Sequence, residues 1–135
     1  MNTNTPEFNE VAKMVRQYYI NIPDEYLKSV NELEICLRAK QDPIFLTRGG
    51  VTDNVLKIRN AILKEIRLFL CTDDPKYKDL REMEKILSTS FVMMVSKLIF
   101  SEFPIPENIA IGLVAMICEK VLKVGKDSFC SSFSS

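Results

Sequence analysis

Residues 91–122 read FVMMVSKLIFSEFPIPENIAIGLVAMICEKVL, and Pro104 and Pro106 split this most apolar stretch of the chain into two arms. Proline starts helices well and cannot continue them, so the stretch predicts two helices meeting at a tight corner. The second arm carries no polar side chain from Ile109 to Cys118. That is the pattern of a helix surrounded by other helices. Gly112 and Ala115 stand three apart on one of its faces, where a neighbouring backbone can approach closely. Neither arm suits a bilayer, because a spanning helix needs about 20 apolar residues in series. Ser96, Lys97, Ser101 and Glu102 interrupt the first arm, and the second is too short. The expected fold is therefore all-α: a compact bundle of four to six helices around a buried C-terminal helical hairpin, with no transmembrane segment.

Working upstream, the chain supplies amphipathic helices to wrap this hairpin. Residues 1–5 are a polar lead. Thr5 suits an N-cap with Pro6 at the first helical position, and Phe8, Val11, Val15, Tyr18 and Tyr19 then recur at helical spacing. After the punctuation at Asn21 and Pro23, Tyr26, Val30, Leu33 and Leu37 mark the buried stripe of a second helix. Between residues 41 and 54 the signal changes to QDPIFLTRGGVTDN. Pro43 and the Gly49–Gly50 pair mark turns in this longest connection, and Ile44, Phe45 and Leu46 are an apolar run inside it. Two glycines ahead of a helix resemble an anion cradle only faintly, since no GxxxxGK or GxGxxG accompanies them.

Thr52 is placed to cap a third helix that runs to Cys71. Lys57, Asn60, Lys64, Glu65 and Arg67 fall on one side of it as a mildly basic stripe, opposite Val55, Ile58, Ile62, Ile66 and Phe69. Arg59 falls on the apolar side. Either its stem packs while the guanidinium reaches a carboxylate or water, or it contacts a ligand or partner. Asp74 and Pro75 open a fourth helix around Tyr77, Leu80, Met83 and Leu87. Ser88, Thr89 and Ser90 either form a joint or are absorbed into one helix reaching Phe103. Met93 and Met94 read as gap-filling core, with an adaptable binding groove as the alternative. Lys97, Ser90 and Ser101 form a narrow stripe facing water.

Downstream, Glu107 in the first turn and Lys120 and Lys123 in the last complement the dipole of the final arm, and Gly125 stops it. One domain, residues 6–125, is thus followed by a Ser/Phe-rich tail, 126–135, expected to be disordered or to act as a docking segment through Phe129 and Phe133.

Composition narrows the function. The 18 basic and 18 acidic residues cancel, and they nearly cancel on either side of Cys71, 10 against 9 and then 8 against 9. No global field favours nucleic acid, an anionic membrane or an acidic substrate. The chain has no histidine, which removes Ser-His-Asp and Cys-His catalysis and the Glu-x-x-His di-iron motif. Cys36, Cys71, Cys118 and Cys130 show no CxxC spacing and no secretory leader precedes them, so free thiols in a reducing cytoplasm are expected. No cofactor is indicated.

The residues are spent on an amphipathic bundle and gather no convergent chemistry. The leading expectation is a non-catalytic protein–protein interaction or assembly module: an accessory subunit, an adaptor, or an antitoxin or immunity-type partner, acting on another protein or as a homo-oligomer. Its mark would be a contiguous apolar patch left uncovered once the bundle closes. Phe45, Phe129 and Phe133 are the candidate anchors, with Arg59 as a possible contact. A nucleic-acid binder using Lys57, Lys64 and Arg67 is the alternative, disfavoured by the balanced charge. A histidine-independent enzyme comes third.

Overall fold

Helix α6 (Glu107–Val124) is the element around which the others are arranged, packing against α1 (Pro6–Tyr18), α2 (Asp24–Arg38), α3 (Asp53–Cys71), α5 (Thr89–Glu102) and α7 (Lys126–Ser131). The structure, a computed structural model, describes residues 6–41, 53–83 and 87–133. Within them are seven α-helices, the remaining one being α4 (Lys78–Met83), two 3-10 turns at Tyr19–Asn21 and Pro75–Tyr77, and no strand. The protein is all-α. Seven helices are one more than the upper end of the expected four to six, and the additional helix is α7, six residues long and formed by the tail. Among the described residues no helix is long and apolar enough to cross a membrane.

The centre of α6 behaves as its unbroken apolar sequence requires, with every residue from Ala110 to Cys118 buried. Gly112 is where α1 comes closest. A Cβ built there would lie 2.7 Å from Ile22 Cδ1 and 3.0 Å from Tyr18 Cβ, so the missing side chain is what lets the end of α1 and the following turn rest on α6. From α1 only Val11 is fully buried, with Met14, Val15 and Tyr18 packed at the core edge. Tyr19, expected on that face, is 52% exposed because the helix tightens into the 3-10 turn at this residue.

Helix α2 buries the expected Tyr26, Val30, Leu33 and Leu37. It ends without a glycine: Lys40 adopts a left-handed φ of 57°, Gln41 N donates to Cys36 O and Lys40 N to Leu37 O. This is the Schellman arrangement that closes the last carbonyls of a helix. On its outer side Glu34 pairs with Lys120 of α6 at 2.6 Å and with Arg38 at 3.1 Å. Hydrogen bonding from Lys120 lowers the Glu34 carboxyl below its ordinary range against the opposing effect of partial burial.

The joint after α3 comes from its residue chemistry. Asp74 accepts from Lys76 N and Pro75 opens the 3-10 turn. Arg81 then reaches back to donate to the carbonyls of Leu68, Phe69 and Asp74, closing the C-terminal end of α3 where its dipole favours a cation. Among the described residues the fourth helix is α4, Lys78–Met83. Met83, assigned to its buried stripe, is 80% exposed. The alternatives left open at Ser88 resolve as a joint, because its side chain caps α5 by accepting from Phe91 N at 3.3 Å. Across the corner, Phe103 N bonds to Ile99 O, and Pro106 O receives Ile109 N and Ala110 N, so the prolines start α6 at no cost in backbone donors.

The tail is part of the fold. Gly125, at φ 97°, ends α6 and precedes α7 directly. Phe129 is fully buried and Phe133 nearly so, the two rings meeting edge to face at 4.9 Å. Cys130 is joined to Cys71 at the end of α3 by a disulfide. This corrects the expectation of four free thiols and of an unstructured tail. Two cysteines 59 residues apart signal nothing by spacing, and only the docking of α7 on α3 brings them together. Cys36 and Cys118 are buried thiols outside this disulfide, and burial raises the Cys118 thiol far above its ordinary range.

Candidate functional site

Helix α5 is apolar on more sides than α6 can cover. Phe91, Val92, Val95 and Ile99 are buried toward the core, and Ser96 joins them by donating its hydroxyl to Val92 O. The turns between them point outward and carry Ser90, Met94, Lys97, Phe100 and Ser101, all exposed. Met94 is 45% and Phe100 47% exposed. The first arm of the apolar stretch is therefore only half core, contrary to the expectation that both arms are consumed by packing. The narrow line of Ser90, Lys97 and Ser101 does face water, but as the polar thread in a wider apolar face.

One edge of this face is a groove of about 580 Å³, lined by Met93, Met94, Leu98, Lys97, Ser90 and Ser101 on α5, with Lys76 and Tyr77 opposite. The opposite wall is held firmly. Tyr77 is buried, its ring set against Phe69 and Phe91 at centroid separations of 5.8 and 5.5 Å. Its hydroxyl donates to Glu65 Oε1 at 2.6 Å, and Lys76 Nζ reaches the same oxygen at 2.6 Å. Burial, reinforced by the Glu65 carboxylate, holds the Tyr77 phenol in its protonated form. The Lys76 charge is thus already answered by Glu65. Lys97, in the middle of the groove, makes no ion pair with a described residue.

The residues singled out from the sequence do not converge on this groove. Phe45 lies outside the described residues, as do Ile44, Leu46, Gly49, Gly50 and Thr52. Phe129 and Phe133 are core, so they are closed to a partner in this fold. Arg59 is fully buried between α3 and α2, where Nε and Nη2 donate to Asn60 Oδ1 at 3.3 and 3.1 Å. Burial lowers its basicity, and Glu32 of α2 and the Cys36 sulfur oppose that shift. The Arg59 side chain is thus enclosed in the packed helix interface. The basic stripe is dispersed. Lys57 and Lys64 are exposed, Glu65 is buried rather than solvated, and the Arg67 guanidinium lies 4.8 Å from the centroid of the Phe133 ring.

A second depression, of about 370 Å³, surrounds the disulfide and is lined by Thr72, Asp73, Arg81, Lys126 and Asp127 beside Cys71 and Cys130. Its chemistry is consumed internally, since Arg81 is committed to the α3 carbonyls. Met93, Met94 and Lys97 make the α5 groove legible in outline, but an apolar helix gives no hint of which side its neighbours will leave bare. No family model, curated protein or solved structure matches the chain.

Proposed function

We propose that the chain is a non-catalytic interaction module, an accessory or adaptor-type protein that binds another protein through the outward face of α5. In this reading α5 and α6 form the buried C-terminal hairpin of the bundle, with one arm wholly internal and the other shared between the core and a partner. The observation that carries it is the outward apolar face of α5, where Met94 and Phe100 are exposed and Met93 and Leu98 half-buried beside them, on one well-capped helix. Isolated exposed apolar residues are ordinary, whereas a contiguous set marks a binding surface. The basic stripe of α3 supports nucleic-acid binding less well, with Lys57 and Lys64 left as its exposed cations and phosphate contacts needing more of them.

The test compares the wild-type chain with Met94→Glu/Phe100→Glu, both checked for native helix content by circular dichroism. Affinity capture from the native host followed by mass spectrometry should recover a protein at near-equal stoichiometry with the wild type and lose it with the variant. Equal recovery by both, or none by either, would overturn the reading.

A further inference from the structure

We infer that the α5 groove receives an acidic amphipathic helix of another protein, with its apolar face against Met93, Met94 and Leu98 and a carboxylate meeting Lys97. The inference rests on the reading of α5 as a binding face and adds the chemistry of what binds. Ser90 to Ser101 span about three helical turns, roughly 16 Å at 1.5 Å per residue, the length over which a docked helix presents anchors at i, i+3 or i+4, and i+7. Methionine side chains suit such a groove, being unbranched and able to repack around a partner's contour. The opposite wall needs no rearrangement, since Tyr77 and Lys76 are both tied to Glu65.

Charge selects the occupant. The lining holds two lysines and no carboxylate, and of the two Lys97 lacks an ion partner among the described residues. A second copy of the chain presenting the same face would set lysine against lysine in a contact that is being desolvated, which like charges oppose. A helix carrying Glu or Asp beside its apolar stripe instead supplies the missing partner. The protein's net charge of zero gives no long-range attraction, so the preference arises locally, at Lys97. The open form of the groove, along the flank of one helix, fits a rod laid on a surface better than an acyl chain, which needs enclosure on most sides.

The probes are a designed three-turn amphipathic peptide with leucines at helical spacing flanked by glutamates, its counterpart with lysines in place of the glutamates, and dodecanoate. Binding is read by fluorescence anisotropy of the labelled peptides and by the methionine methyl signals in NMR spectra of the full chain. The glutamate peptide should shift the Met93 and Met94 methyls and bind at least about tenfold more tightly than the lysine peptide. Lys97→Glu should reverse that order, and Met94→Glu should abolish both. Met94→Ala serves as the milder variant, expected to weaken binding without adding charge.

Equal binding of the two peptides, with both lost in Met94→Glu, would overturn the acidic-partner inference while leaving the α5 face as a binding surface. Binding of dodecanoate with neither peptide bound would overturn it in favour of a lipid ligand. A concentration-dependent dimer in sedimentation, dissolved by Met94→Glu, would overturn it in favour of self-association. No binding by any probe, with the fold intact, would overturn the inference alone; the module reading is judged by the capture experiment.

Discussion

At Arg59 a guanidinium is removed from water entirely, and burial lowers its basicity while Glu32 and Cys36 of α2 oppose that shift. From the sequence alone, replacing Arg59 with methionine is expected to leave the fold intact, because an apolar side chain of similar length suits the same helix face. In the structure the guanidinium is buried and donates to Asn60 Oδ1, and removing a buried, hydrogen-bonded charged group costs about 3 kcal/mol. Arg59→Met should therefore lower stability by about that amount in urea titrations, and Arg59→Met/Glu32→Leu should recover most of it. Equal losses in the single and double variants would show that the guanidinium matters through its packing and not through its charge. The helical pattern of α3 reveals that Arg59 faces inward, but the partner's identity depends on which residue of α2 the packing sets opposite.

Among the elements, α7 owes most to tertiary contacts. Six residues cannot sustain a helix in isolation, yet α7 buries Phe129 against the core and is tied to α3 through Cys71–Cys130. A crosslink closing a loop of 59 residues stabilises the native state chiefly by restricting the unfolded chain, by about 4 kcal/mol in the chain-entropy account and often less in practice. Adding a thiol reductant, or introducing Cys71→Ser/Cys130→Ser, should lower the thermal midpoint while the untreated protein shows no free thiol at either position. An unchanged midpoint would mean that the bridge adds nothing to what the phenylalanines already supply. Helix α5 is the complementary case. Its helicity is readable from sequence, but its Ser-capped start and the division of its circumference between core and solvent are not.

For the molecule as a whole, α6 is the common neighbour of the longer helices, so its amides should become exposed only when everything around it opens. Hydrogen exchange should show residues 110–118 protected to the level of global unfolding, with α4, which buries none of its side chains, exchanging through smaller local openings. Comparable protection in both would contradict a fold built around α6. The sequence by itself determined the all-helical class, the proline corner, the central position of α6, the close approach at Gly112 and the stop at Gly125. These follow from local rules: apolar runs without interruption, proline's missing donor, and glycine's missing side chain. Only the tertiary structure decided that Cys71 meets Cys130, that Glu65 turns inward to Tyr77 and Lys76, that Arg59 is fully enclosed against α2, and that α5 leaves Met94 and Phe100 uncovered. Each of these is a relation between helices remote in the chain, and helical periodicity records the direction of a side chain without recording what the fold places before it.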